Sequence, residues 1–306
     1  MTFLANHCAI GLPIQPRVFI LKKYNVGIIG YGWAATAHID AINASGMAQV
    51  TRIYSSRLLD DDELSTRHGS RIKSTTNLSA MLKDPNLDVV DVTSYPYQHA
   101  DQVVAAAKAG KHIIIEKPLT LTQPSLRRMV AAVKKARVKV CVCFECRFAS
   151  QFLTIKSVVD QGLVGKIHYG EVDYYHGVGP WYGQYRWNTK KDAGGSSLLS
   201  AGCHAMDALL YFMGSTDVAE VASYSTQSKN KIFKKYEYDT TSVTILKFKD
   251  GRLGKVASVI DCLQPYYFHT HLVGSEGSIL DNKFHSSKMG ALNKNEWSTL
   301  ATQLVD

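Results

Sequence analysis

The sequence of 306 residues lacks any uninterrupted apolar run near the ~20 residues that a membrane-spanning helix needs. It also lacks internal repeats, low-complexity linkers and the motifs of nucleic-acid-binding domains, although Lys and Arg exceed Asp and Glu by nine. What remains is the composition of a soluble globular protein. We therefore expect neither a membrane nor a nucleic acid as its partner.

Cysteines are too few to form a disulfide framework, because six are spread over a chain of this length. Three of them, Cys141, Cys143 and Cys146, lie in the run CVCFEC, which no second pair follows at the spacing of a zinc site. Valine and phenylalanine between them indicate a strand with buried thiols. We expect a reduced, cytoplasmic protein without a bound metal.

Short apolar runs alternate with helical patterns in the first half of the chain, which is typical of βαβ units and a parallel sheet. In the second half the strands become longer and alternating, with a hairpin signal at Asp250. We predict an α/β Rossmann domain over 24–144 and an α+β domain with a mostly antiparallel, open-faced sheet over 145–306. The extension over 1–23 is expected to be poorly ordered.

The stretch VGIIGYGWAATAH has GxGxxA spacing between a predicted strand and a predicted helix. Gly30 permits a tight turn, Gly32 leaves room for a pyrophosphate, and Ala35 allows the helix to pack closely on the strand. A purely structural turn is the alternative, and the further βα units disfavour it. We predict that this turn, with Trp33 at the start of the helix, binds a dinucleotide.

The second predicted strand ends in Ser55, Ser56 and Arg57, where NAD enzymes carry an acidic residue for the ribose. Two hydroxyls and a guanidinium instead suit a 2′-phosphate. If Arg57 points into solvent, that argument fails. The cofactor is therefore predicted to be NAD or NADP, with a slight preference for NADP.

Two further motifs carry chemistry. Glu116 and Lys117 end the strand KHIIIEKP at the edge of the sheet where open α/β folds bind ligands, so Lys117 could stabilise negative charge on a substrate hydroxyl. Ser200 and His204 lie four residues apart in a predicted helix, and Asp207 follows three residues later, so a carboxylate could sit beside the imidazole. The alternatives are a surface Lys–Glu pair and a packed histidine.

An aromatic segment, YYHGVGPWYGQYRW, runs from Tyr174 to Trp187. Its rings and single polar groups suit a sugar ring, although the same residues would equally clasp a loop onto a sheet. His176, Trp181 and Arg186 are its candidate substrate-binding residues.

Taken together, these motifs resemble those of the Gfo/Idh/MocA oxidoreductase family, from about residue 24 to residue 281. The resemblance rests on the GxGxxA turn, His99 after DVTSYPYQHA, AGKHIIIEKP, CRF followed by GLVGKI, and GGSSLLSAGCHAMD. It implies a Rossmann domain and an open-faced sheet domain, a sugar or polyol bound between them, and a homo-oligomer. It adds Ser94, His99 and Glu116 to the predicted cofactor site, and Arg147 and Asp207 to the predicted substrate site.

Within this resemblance Lys117 matches the family's catalytic lysine, and His204 matches the histidine usually assigned as general acid/base. The family often has Asp four residues before the histidine, where this chain has Ser200, whose hydroxyl can orient an imidazole but cannot offset its charge. Relatives usually continue beyond the segment GSEGSI, so we expect a truncated C-terminus.

The resemblance implies an NAD(P)-dependent oxidoreductase acting on a secondary alcohol of a sugar, inositol or related polyol. A glycoside hydrolase that uses NAD and a non-catalytic dinucleotide- or sugar-binding regulator remain alternatives.

Overall fold

A computed structural model describes residues 22–290 and 295–304. The described chain forms two sheets, each packed against its own helices. The predicted extension over 1–23 lies outside the described residues except for Lys22 and Lys23. No helix in the described ranges has the length and apolar character needed to cross a bilayer.

The first sheet has six parallel strands in the order β3-β2-β1-β4-β5-β6. The order reverses between β1 and β4, and a ligand crevice forms beyond the carboxyl ends of strands at such a reversal. The elements are β1 (Tyr24–Ile29), α1 (Trp33–Ala44), β2 (Ala48–Tyr54), α2 (Asp61–His68), β3 (Lys73–Thr75), α3 (Leu78–Leu82), β4 (Val89–Val92), α4 (His99–Lys108), β5 (His112–Ile115), α5 (Gln123–Ala136) and β6 (Val140–Val142).

Helix ends in this half follow the expected chemistry. Helix α4 is followed by Gly110 at a positive φ of 72°, which only glycine adopts without strain. Helix α5 is capped by the Thr122 side chain and has Pro124 in its first turn, where a missing N–H costs nothing. Glycine just after a helix and proline in a first turn are the residues that these two positions favour.

The second sheet has eight strands in the order β14-β13-β12-β11-β7-β10-β9-β8. Its strand pairs are antiparallel except β7 with β10, and β9 and β10 form the hairpin predicted at Asp250. The elements are α6 (Ser150–Asp160), β7 (Ile167–Tyr175), α7 (Tyr185–Asn188), α8 (Lys191–Gly194), α9 (Cys203–Met213), β8 (Val218–Thr226), β9 (Thr241–Phe248), β10 (Leu253–Val259), β11 (Tyr267–Gly274), β12 (Gly277–Leu280), β13 (Lys283–Ser286) and β14 (Ser298–Thr299).

Residues along β9 are alternately buried and exposed, so this sheet packs on helices with one face only. On the packed face, helix α9 approaches β7 closely. A Cβ on Gly170 would lie 2.8 Å from the Met213 sulfur and 2.9 Å from a Leu209 methyl. Glycine at this position therefore fixes the depth at which α9, and His204 with it, lies on the sheet.

The helix that carries His204 begins irregularly. Residues Leu198–Gly202 form a π-helical turn that continues directly into α9. A Cβ on Gly202 would lie 2.4 Å from the Ser258 side chain on β10, so the turn presses against the sheet. Single π turns within helices often occur at functional sites.

Candidate active site

The glycine turn after β1 has the shape that a pyrophosphate requires. Gly30 has a φ of 97°, and a Cβ there would lie 3.1 Å from the Ser94 backbone. A Cβ on Gly32 would meet no protein atom within 4 Å, and no side chain caps the first turn of α1. The first N–H groups of α1 therefore have no side-chain cap, and the space beside Gly32 leaves room for phosphate oxygens to bind them. Ala35 is fully buried, and the turn fits a dinucleotide.

Arg57, just after β2, has a guanidinium that is available to bind a ligand. Ser55 is buried and its hydroxyl accepts a hydrogen bond from the Arg57 N–H at 3.4 Å. Ser56 and Arg57 are exposed, and the Arg57 guanidinium has no ion pair within the described ranges. Either a 2′-hydroxyl or a 2′-phosphate can be accommodated here.

His99, predicted as a cofactor-site residue, lies behind the glycine turn, and a direct contact with the cofactor stays a prediction. Its side chain is fully buried, with Nδ1 2.9 Å from the Pro118 carbonyl oxygen and Nε2 3.0 Å from that of Ser94. The imidazole ties the loop after β4 to the loop after β5. It thereby positions the Ser94 backbone against Gly30 and fixes the segment that follows Lys117.

Beneath the crevice, His38 on α1 bridges two carboxylates. Its Nδ1 lies 2.8 Å from Asp91 Oδ2 and its Nε2 lies 3.0 Å from Glu116 Oε1. Burial lowers the pKa of His38, but the hydrogen bonds to Asp91 and Glu116 outweigh it and raise the pKa to about 10. The other Glu116 oxygen accepts the Lys117 N–H at 2.9 Å. Glu116 is therefore an internal anion behind Lys117.

Lys117 projects from the end of β5 toward the second domain. Burial disfavours its charge, but nearby Cys203, Glu116 and Glu145 raise the pKa of the ammonium overall. At neutral pH the two carboxylates provide this effect, because the pKa of Cys203 is itself about 11. No hydrogen bond or ion pair to Nζ occurs within 22–290 and 295–304, so the charge is available to a ligand.

His204 faces Lys117 from the start of α9. The imidazole is 4% exposed, lies parallel to the Tyr174 ring and meets the edge of Phe144. Burial and the Lys117 ammonium hold the pKa of His204 well below its ordinary value. Lys117 also lowers the pKa of His176, after burial. The structure thus brings Lys117, His204 and His176 together.

Ser200 and Asp207 do not flank the imidazole as predicted. The Ser200 hydroxyl accepts a long hydrogen bond from Tyr238 at 3.5 Å, and none to His204 occurs among the described residues. Both carboxylate oxygens of Asp207 bind Arg147, at 2.6 Å each. The predicted substrate residues Arg147 and Asp207 therefore satisfy each other in a bidentate pair.

Comparisons with known proteins agree with this geometry. A model of an oxidoreductase family with an NAD-binding Rossmann fold matches residues 24–144, and the GFO/IDH/MocA C-terminal domain matches 152–280. Myo-inositol 2-dehydrogenase of Thermotoga maritima is 31% identical over 83% of this chain and 74% of its own length. The chain belongs to the Gfo/Idh/MocA oxidoreductase family.

Two further relatives share most of the chain. Levoglucosan dehydrogenase of Pseudarthrobacter phenanthrenivorans is 26% identical over 86% of this chain and 74% of its own length. The structure of a levoglucosan dehydrogenase in complex with NADH and levoglucosan has a TM-score of 0.78 at 25% identity, over 93% of this chain and 80% of that one. The predicted family, fold class and enzyme class, an NAD(P)-dependent dehydrogenase, are confirmed.

The Gfo/Idh/MocA motifs did not point to Glu145, which lies next to the family's histidine. It begins a 3₁₀ turn, Glu145–Phe148, directly after β6, and its Oε1 lies 3.5 Å from His204 Nε2. The signal was present as an acidic residue at the carboxyl end of a parallel strand. The sequence predicts a strand over KVCVCF that ends at Phe144, whereas β6 ends at Val142.

The three predicted substrate-binding residues of the aromatic segment have different surroundings. The His176 Nδ1 lies 2.9 Å from the Tyr174 hydroxyl, and its ring packs against Tyr182 beside Lys117. Trp181 is 61% exposed, and its indole N–H donates to the Gly177 carbonyl. Arg186 is exposed on α7. His176 is therefore inside the crevice, whereas the other two predicted residues lie at the surface.

Two surface clefts lie beside the crevice rather than in it. One, of about 480 Å³, is lined by hydroxyl and acidic side chains that include Ser223 and Asp239. The other, of about 400 Å³, separates Tyr97 of the first domain from Leu199 of the second. Neither lining includes Lys117 or His204.

Proposed function

We propose that the protein is an NAD(P)-dependent dehydrogenase that oxidises a secondary alcohol of a sugar, inositol or related polyol, or reduces the corresponding ketone. The observation that carries this proposal is that Lys117, after the carboxyl end of β5, is close enough to His204 on α9 for its charge to lower the pKa of the imidazole. The residues come from both domains, so a substrate in the crevice would touch both.

The two side chains have different charge states, which suits them to different tasks. Lys117 is a buried cation with no bonded partner among the described residues, and it would stabilise negative charge on the substrate oxygen as the hydroxyl proton leaves. His204 is neutral at pH 7 and lies where it would contact the same hydroxyl. The nicotinamide, when bound, supplies the hydride chemistry.

The substrate class follows from the relatives and from the crevice. Dehydrogenases of inositol and levoglucosan are among the proteins most similar to this chain. Polar groups converge beside aromatic rings in the crevice, with His176 and Tyr182 next to Lys117, an arrangement that suits a polyhydroxylated ring. For the nucleotide, exposed Arg57 at the end of β2 favours NADP slightly over NAD.

The test is oxidation of myo-inositol, scyllo-inositol, levoglucosan and glucose with NAD⁺ and NADP⁺, followed by absorbance at the reduced nicotinamide band. Lys117→Met should lose turnover by a factor of about 10² or more while nucleotide affinity is retained. Lys190→Met is the matched control, because Lys190 is exposed and pairs with Glu237 at the surface. A wild type that binds nucleotide but oxidises no alcohol, or a fully active Lys117→Met, would contradict the proposal.

A further inference from the structure

A second cluster of ionisable side chains lies on the face of the second sheet opposite to α9. Residues along β11 are alternately buried and partly exposed, so His269 and His271 share one face while Thr270 between them is buried. Glu171 follows Gly170, which contacts α9, and its side chain therefore points to the opposite face. Glu171 and His271 are direct partners in the antiparallel pairing of β7 with β11. Two imidazoles and a carboxylate thus share the open face of the sheet.

These three side chains are close enough to bind one ion. Each offers a nitrogen or oxygen atom that lies within 4.8 Å of those of the other two. Imidazole nitrogens and a carboxylate oxygen are ligands that Zn²⁺ takes in proteins, at about 2.0–2.2 Å, with water in a fourth position. Rotation about side-chain bonds is enough to bring the three atoms to those distances. His271 has no hydrogen bond or ion pair among the described residues, so its lone pair is available.

Neighbouring side chains hold the other two candidate ligands in position. His269 Nδ1 lies 3.2 Å from Asp281 Oδ1, and a proton on Nδ1 leaves the lone pair on Nε2 for a metal. The Tyr169 hydroxyl donates to Glu171 Oε2 at 2.8 Å, and the Lys255 ammonium donates to Oε1 at 2.7 Å. A carboxylate has about four lone-pair positions, so both oxygens can still bind an ion. Outer contacts of this kind orient the ligands of metal sites.

The charges in the cluster favour a cation. Glu171, Asp173 and Asp281 provide three carboxylates, and Lys255 provides one ammonium, which pairs with the first two. With neutral imidazoles this leaves two negative charges, although the chain as a whole has a formal net charge of +9. In the sheet β7 lies between β10 and β11, so Lys255 approaches Glu171 from the side away from the histidines. A divalent cation between β7 and β11 would therefore offset the remaining charge.

We propose that Glu171, His269 and His271 form a binding site for one Zn²⁺ ion on the open face of the second sheet. The ion would join β7 to β11 and keep a water ligand, because the cluster is partly exposed. The proposal goes beyond the dehydrogenase function and does not depend on it, since the sheet separates the cluster from α9. It also departs from the expectation of a protein without a bound metal, which rested on the spacing of the cysteines.

The first test is calorimetric titration of the chelator-treated protein with ZnCl₂ at pH 7.5. We expect one ion per chain at this site. Asp281→Asn should weaken Zn²⁺ binding by about 10–100-fold, because it removes an outer contact, and His271→Gln should weaken it further by removing a ligand. His168→Gln is the matched control, because His168 is an exposed histidine of β7 outside the cluster. An affinity unchanged in His271→Gln, or lowered equally in His168→Gln, overturns the proposal.

The second test identifies the ligand atoms. Cys141 is exposed, so an added metal could also bind at a thiol. Co²⁺ distinguishes the two sites, because thiolate ligands add an intense near-ultraviolet charge-transfer band that nitrogen and oxygen ligands lack. Co²⁺ displaced by one equivalent of Zn²⁺ should show visible absorption without that band, and Glu171→Gln should lose the visible absorption. A thiolate band that persists in Glu171→Gln would place the ion at the cysteines and overturn the proposal.

Thermal stability gives a third measurement. An ion that binds only the folded protein raises its Tm, so Zn²⁺ should raise the Tm of the wild type and of His168→Gln but not that of His271→Gln. A wild type that binds no Zn²⁺, or an equal rise in His271→Gln, overturns the proposal. A protein that binds Zn²⁺ at this cluster and oxidises no alcohol with either nucleotide overturns only the proposed dehydrogenase function.

Discussion

His38 offers the most quantitative prediction, because it lies between two carboxylates inside the first domain. Its side chain is 16% exposed, and that of its partner Asp91 is fully buried. The pKa of His38 rises from 6.5 to about 10 through its bonds to Asp91 and Glu116, in spite of burial. At about 1.4 kcal/mol per pKa unit, this shift corresponds to at most about 5 kcal/mol of stabilisation.

Replacing His38 with Gln keeps the size of the side chain and removes the charge. Two carboxylates then remain in the domain without their cation, and breaking a buried pair in this way costs about 3–5 kcal/mol. We expect the free energy of unfolding at pH 6 to fall by about that amount, measured by urea denaturation with fluorescence and circular dichroism. Asp40→Asn is the control, because Asp40 also pairs with a histidine, His68, but its own side chain is 66% exposed. This substitution should lower the free energy of unfolding by less than about 1 kcal/mol.

The pH dependence has a definite sign. A group whose pKa is raised on folding stabilises the protein fully at a pH below its pKa in the unfolded state. This stabilisation is lost as the pH rises through its pKa in the folded state. The stability of the wild type should therefore approach that of His38→Gln between pH 6.5 and about 10. A difference below 1 kcal/mol at pH 6, or one that stays constant up to pH 10, would refute the reasoning.

Three further predictions concern the ligand sites. Gly32→Val should fold, because no protein atom lies within 4 Å of its Cβ, but should abolish nucleotide binding in calorimetry; undiminished affinity would remove the pyrophosphate from this turn. Arg57→Ala should weaken NADP binding by about 1–3 kcal/mol more than NAD binding, and equal losses would contradict a phosphate contact. Lys117→Ala and His204→Ala should each lose most turnover, with a double variant far less impaired than the product of the two losses; a multiplicative loss would mean that they act separately.

Elements of the fold that depend on a short stretch of sequence could be predicted. Apolar runs bounded by Gly, Pro and charged residues predicted the main strands of the parallel sheet. The parallel pair of β7 with β10 could not be predicted, because its residues lie about 80 positions apart, for example Tyr169 and Leu253. Short β3 was missed because three residues do not establish a period.

For the candidate site, the sequence is informative where a motif has a fixed place in the topology. Lys117 and His204 meet because one follows a strand and the other begins a helix that packs across the crevice. The carboxylates were not predicted correctly, since their partners are set by tertiary packing: Asp207 binds Arg147, and Glu145 takes the position next to the imidazole. Asp91 within an apolar strand was an unused signal, because a buried charge requires a partner.

Together these side chains form a row in which charge alternates. His38 is a cation, Glu116 an anion, Lys117 a cation and Glu145 an anion next to neutral His204. Burial alone would discharge both Lys117 and His204. Lys117 keeps its proton because carboxylates lie on both sides of it, whereas His204 faces one water-exposed carboxylate and a nearby ammonium that opposes its charging. The arrangement therefore holds a charged ammonium and a neutral imidazole close together at the edge of the first sheet.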